Sequence, residues 1–216
     1  MHKYILLLVM LPVVLLSCYL PDDCPENIHK LPMYGRVKKC AAQIRSDSVF
    51  LSTYKDDPKK AAVRYIKRGW DYIRENKPDT AMFRFNQAWM LDSLNADVYW
   101  GFANLMGMQQ KYEESVQLFE RSIALNPADF TVYRDAAVSN GNLFRKTQNS
   151  KYQTKAIQYL KTADRLSPNN ARIKAQLAGA YYFSQIDSAR KYLKIAEKLD
   201  PAAVDPPMRT VIMGNQ

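Results

Sequence analysis

Between positions 96 and 127, the large apolar residues fall three and four apart on both sides of a polar break. Tyr99, Trp100, Phe102, Ala103, Leu105 and Met106 precede Gln109-Gln110-Lys111, and Tyr112, Val116, Phe119 and Ile123 follow it. This spacing predicts two amphipathic helices joined by a tight turn. Pro127 ends the unit, because proline cannot continue the second helix and draws the residue before it away from helical geometry. The pattern recurs on either side. Tyr65, Tyr99 and Tyr133 are 34 residues apart, as are Phe85 and Phe119. Self-similarity at this period predicts an all-α solenoid of stacked helix pairs, each covering the apolar face its neighbour leaves open.

Four such units can be aligned. The first, about 62–95, has Tyr65, Gly69, Tyr72, Ala81, Phe85 and Ala88, with Ser93 where a proline would close it. The second, 96–129, has Tyr99, Ala103, Met106, Ser115, Phe119, Ser122 and Pro127. The third, 130–170, opens with Tyr133 and Ala137, closes with Ala156, Leu160, Ala163 and Pro168, and carries seven extra residues, about 146–152, between its helices. The fourth, 171–203, has Leu177, Ala178, Tyr181, Ala189, Leu193, Ala196 and Pro201 and is one residue short near Ile186-Asp187. Small residues at the helix contacts let the helices approach, and the aromatics fill the space between them. The pattern resembles the tetratricopeptide repeat (TPR) family. That resemblance implies a right-handed solenoid of about four helix hairpins over 59–203.

The flanks carry different signals. His2-Lys3 followed by the apolar run Ile5 to Leu16 reads as a secretory signal peptide over 1–17, too short for a permanent span, which needs about 20 residues. Its end, Leu15-Leu16-Ser17-Cys18, resembles the lipobox of bacterial lipoproteins. The resemblance implies cleavage before Cys18 and acylation of its thiol. Residues 18–58 then form a lipidated tether and an N-terminal helix. Asp22-Asp23 loosely resembles the acidic patch after the lipidated cysteine in surface lipoproteins of the Bacteroidetes; a solvated linker accounts for it equally well. Val37, Cys40, Ala41, Ile44 and Leu51 place a capping helix over 36–53. Pro58 suits the start of the first repeat helix. In the tail, 204–216, Met208, Val211, Ile212 and Met213 can cover the last helix, or that end of the solenoid stays open to a partner.

With Cys18 lipidated, Cys24 and Cys40 remain. An exported chain permits a disulfide between them, which a loop-entropy estimate values at about 3 kcal/mol. The alternative is two partly buried thiols.

The net charge is +10. Lys155, Lys161, Arg165, Arg190, Lys191, Lys194 and Lys198 all fall on second helices, which predicts a basic outer face. Such a face suits acidic partners, including an acidic envelope polymer, or is simply solvated. The export signal disfavours nucleic acid. Catalytic chemistry finds little support. His2 and His29 are the only histidines, and neither lies in a repeat. No nucleophile–base arrangement, zinc motif or phosphate loop is legible, so no enzyme activity, metal or cofactor is expected.

In the TPR family, first-helix positions line a concave groove that holds the ligand. Mapped onto this chain, they are Ile66 and Trp70, then Trp100, Asn104 and Met108, then Arg134 and Val138, then Ala175 and Tyr182. Carboxylate-clamp members need lysine and asparagine where this chain has Ile66 and Trp70, which argues against acidic C-termini as ligands. The expectation is an aromatic-apolar floor in the N-terminal half with Arg134 beside it, unless the 36–53 helix folds back and fills the groove. The implied role is a lipid-anchored scaffold of the bacterial cell envelope, at the outer membrane, that binds a protein or peptide. The alternatives are an accessory subunit of an outer-membrane assembly or secretion complex and, further off, a glycan-binding or carbohydrate-active protein.

Overall fold

The computed structural model describes residues 24–214. The signal segment, Cys18 and Asp22-Asp23 lie outside them. Ten α-helices follow one another: α1 (Ala41–Thr53), α2 (Pro58–Arg74), α3 (Pro78–Leu91), α4 (Ala96–Met108), α5 (Tyr112–Leu125), α6 (Phe130–Thr147), α7 (Ser150–Leu166), α8 (Ala171–Tyr182), α9 (Ile186–Leu199) and α10 (Pro206–Met213). Helices α2 to α9 pair as four consecutive antiparallel hairpins, and each hairpin packs on the next.

Local chemistry sets the helix starts and stops. The side chains of Asn95, Asp129, Asn149 and Asn170 accept from the free N–H groups of Asp97, Thr131, Lys151 and Ile173 at the starts of α4, α6, α7 and α8. These are N-caps, each replacing a hydrogen bond the first turn lacks. Within the first three hairpins the chain reverses through a left-handed residue, at Asn76, Gln110 and Gln148. The seven extra residues of the third unit form no long loop. They lengthen its helices instead: α6 has 18 residues and α7 17, against 13 in α4 and 14 in α5.

The core centres on Phe85, which is fully buried. Its ring lies against the backbone of two helix-interior glycines. A methyl group at Gly69 would come within 2.7 Å of the ring, and one at Gly101 within 2.3 Å. Glycine lowers helix propensity, so its presence here reflects this close approach. Where the small positions hold serine, the hydroxyl is used. Ser115 Oγ donates to Ala103 O at 2.8 Å and lies 2.8 Å from Ser139 Oγ, linking the second and third units.

The N-terminal end differs from the sequence expectation. The helix begins at Ala41, not 36. Cys40 is its N-cap, with its N–H bonded to the Gln43 side chain at 3.2 Å. Before it, two 3-10 turns, Ile28–Lys30 and Pro32–Arg36, lie on α3. The fully buried Asn86 of α3 holds them: Oδ1 accepts from Tyr34 N, and Nδ2 donates to His29 O and Leu31 O. Met33, Tyr34, Gly35 and Arg36 all have positive φ. Each non-glycine residue there costs on the order of 1–2 kcal/mol, which the anchoring by Asn86 and the burial of Tyr34 offset. A disulfide joins Cys24 to Cys40 with the Cα atoms 5.0 Å apart, closing this segment into a loop. Because the segment occupies α3, α1 buries little of itself. Ile44 and Val49 are 53% and 68% exposed. Helix α1 meets the solenoid through Phe50 and its C-cap residue Tyr54, whose rings flank Tyr65. At the other end α10 packs on α9 and α8, burying Ile212, with Met208 and Met213 half-buried and Val211 exposed.

Candidate functional site

The first helices of successive units lie side by side, with α4 against both α2 and α6. They form one wall of the stack, the one on which the groove residues are expected. In the N-terminal half the wall is aromatic. The Trp70 and Trp100 rings are 4.5 Å apart, centroid to centroid, and Trp70 also meets Phe85 edge-on at 5.6 Å. Both indoles are half-buried. Trp100 Nε1 donates to Asp135 Oδ2 at 2.9 Å.

Arg134 does not stand free beside this floor. Its Nε and Nη2 donate to Asp135 Oδ1 at 2.9 and 2.8 Å. A carboxylate that sequence reasoning did not single out therefore joins the two predicted residues. The α1 side chains nearest the solenoid meet Tyr65, while Trp70 and Trp100 face each other. Ile66 is buried in the core and Ala175 is almost fully buried, so neither offers much surface to a ligand. Asn104 turns its amide back to Trp100 O at 2.9 Å. Met108 and Val138 are about half exposed, and with Asn104, Asp135 and Asn142 they border a shallow depression between α4 and α6. Tyr182 is exposed at the end of α8, edge-on to Phe183.

An apolar cavity lies further along this face, between α6 and α8. It holds about 300 Å³. Ala137, Ala156, Ala175 and Gly179 give it depth, since small side chains leave the space unfilled. Leu160 and Met208 add apolar wall. Phe144 and Phe183, with rings 5.6 Å apart, stand at its edge beside the exposed Val138 and Arg145. Of these, sequence reasoning singled out Val138 and Ala175 as groove residues. Phe144 lies in the lengthened end of α6, where the 34-residue register is lost, and Met208 comes from the tail. The available signal was the run of alanine and glycine on facing helices.

On the outer face, the basic side chains of α7 and α9 point mostly to solvent. Lys155 pairs with Glu120 at 3.8 Å and Arg190 with Asp187 at 3.7 Å. Burial, then the neighbouring Glu120 carboxylate, holds the Tyr159 phenol well above its usual range, so it stays neutral at physiological pH. Among the described residues, no group of three or more His, Cys, Asp or Glu side chains gathers to hold a metal ion, and no helix is long and apolar enough to cross a membrane.

No family model matches the chain, and no curated protein does. Solved structures do. PilF of Pseudomonas aeruginosa is 18% identical with a TM-score of 0.61, over 72% of this chain and 67% of that one. YrrB, described as a TPR protein with an unusual peptide-binding site, is 20% identical with a TM-score of 0.56, over 70% and 75%. The second TPR domain of human RPAP3, solved with the HSP70 peptide SGPTIEEVD, is 21% identical with a TM-score of 0.50, over 57% and 97%. The fold is a TPR solenoid. At these identities the likeness speaks to the fold, and the TPR reading of the 34-residue period agrees with it.

Proposed function

We propose that this protein is a lipid-anchored scaffold of the bacterial cell envelope, at the outer membrane, whose TPR groove holds a segment of another protein. One observation carries the binding part: the first-helix wall presents the half-buried Trp70–Trp100 pair and, beyond it, an apolar cavity. Concave apolar surface with a few placed polar groups is the usual form of a binding site, and tryptophan and arginine are frequent anchors. Structural neighbours whose descriptions name peptides support the same reading. The proposed role is one of binding rather than catalysis.

The lipobox-like Leu15-Leu16-Ser17-Cys18 supports the anchor. The Cys24–Cys40 disulfide supports an exported protein, because such bridges persist in oxidising compartments. Intact mass of the membrane-extracted protein tests the anchor. A free thiol at Cys18, or a chain still starting at Met1, rejects it. Cross-linking in cells through a photoreactive residue at Met108, followed by mass spectrometry, tests the scaffold. A specific partner lost in the Trp100→Ala variant is the expected result, and no cross-linked protein rejects the reading.

A further inference from the structure

The cavity between α6 and α8 is walled mainly by apolar side chains, with Asn142, Arg145, Gln153 and Gln176 as its polar members. Gln153 is satisfied: Nε2 donates to Ala180 O at 3.0 Å and to Ser184 Oγ at 3.1 Å. At the rim stands Arg145, exposed, donating to the Asn142 side chain. Among the described residues no carboxylate pairs with it, in contrast to Arg134, which Asp135 neutralises.

Resting on the reading that this groove holds a protein segment, we propose that the cavity is its main specificity pocket. It takes one large apolar side chain of an extended peptide, whose nearby Asp or Glu pairs with Arg145. A volume of about 300 Å³ is at the lower end of ligand pockets, which suits a side chain or two better than a bulky cofactor. An acidic segment also complements a chain of net charge +10, which disfavours a second copy of the same protein as the occupant. The anchoring pocket thus lies on the third and fourth units, away from the tryptophans.

The test uses the exported chain with its disulfide intact and a phage-displayed random dodecapeptide library. Enriched peptides are synthesised and their dissociation constants measured against wild type, Val138→Glu, Gly179→Leu and Arg145→Glu. Val138 is exposed at the cavity edge, so its variant keeps the fold; Gly179→Leu fills the cavity, and circular dichroism checks its folding. The enriched peptides should share a leucine, methionine or aromatic residue near an acidic one. The Val138 and Gly179 variants should weaken binding by roughly tenfold or more, and Arg145→Glu should remove the preference for an acidic residue. Peptides that bind all three variants as well as wild type, but lose affinity in Trp100→Ala, overturn the pocket and leave the groove reading intact. Absence of any enriched peptide overturns both.

Discussion

Trp100 of α4 and Asp135 of α6 are joined across the first-helix wall by an indole-to-carboxylate hydrogen bond of 2.9 Å. The same carboxylate accepts two hydrogen bonds from Arg134, and the Arg134 and Asp135 side chains are only 20% and 19% exposed. One acidic group thus fixes the tryptophan ring, balances the arginine and ties the second unit to the third. Asp135→Ala leaves a charge and an indole N–H without partners in a half-dry site. Unfolding free energy should fall by roughly 1–3 kcal/mol. Asp135→Asn should recover part of the loss, because the amide oxygen can still accept from the indole. Urea denaturation decides: identical midpoints for wild type and Asp135→Ala would show that the link carries no stability.

Two helix-interior glycines should respond to alanine with opposite sign. At Gly101 a methyl group would meet the fully buried Phe85 ring at 2.3 Å, and Gly69 on the other side limits how far the ring can yield. Overpacking of this kind costs roughly 1–3 kcal/mol, more than the helix-propensity gain of about 1 kcal/mol for alanine. At Gly141 a methyl group meets nothing within 4 Å. Gly141→Ala should therefore stabilise by about 0.5–1 kcal/mol. Thermal melts of the two single variants suffice, and a shared direction of change would contradict this account of the core.

The repeat architecture was legible because each hairpin writes its own packing into the period: Tyr65 and Tyr99, Phe85 and Phe119. What escaped depends on contacts across the period. Asp135 falls on an ordinary first-helix position, and nothing local marks it as the partner of an indole 35 residues away. The left-handed run from Met33 to Arg36 runs against local preference and is held by Asn86, more than 50 residues on. The extra residues of the third unit read as lying between its helices because an insertion breaks register whether it loops out or adds a helical turn to each arm. That choice placed Phe144 at the edge of the cavity, where the motif has no position for it.

The Asn86 anchor makes the N-terminal segment separable from the solenoid. With Asn86→Ala, His29 O loses its bond to the amide, and Tyr34 N and Leu31 O keep only their mutual bond of 3.1 Å; each lost bond costs up to about 1–3 kcal/mol where water cannot replace it. Amide exchange should accelerate across 28–36 while α4 to α9 keep their protection. Removing the disulfide as well, in Cys24→Ser/Cys40→Ser, should accelerate exchange further, since the bridge holds both ends of the loop near α3. If loss of Asn86 instead loosens the whole chain, the segment is part of the solenoid's own cooperative unit.

Asp97 gives the fold a pH dependence of unusual sign for a carboxylate. It sits half-buried in the first turn of α4, and burial, then the nearby Asp129 charge, raises its pKa above the ordinary 3.8. A raised folded-state pKa means that the native chain holds this proton more tightly than the unfolded chain does. Below about pH 3.8 Asp97 is protonated in both states and contributes nothing. As pH rises through the folded pKa, ionisation in the half-buried site opposes folding, and the penalty then stays constant toward neutrality. Asp97→Asn removes that penalty, though it also removes a favourable charge at a helix N-terminus. The informative quantity is therefore the difference in melting temperature between variant and wild type as a function of pH. It should be smallest near pH 3, shift in favour of the variant as pH rises, and level off by pH 7. A difference that moves toward the wild type over the same range would mean that the helix terminus, not desolvation, governs this carboxylate.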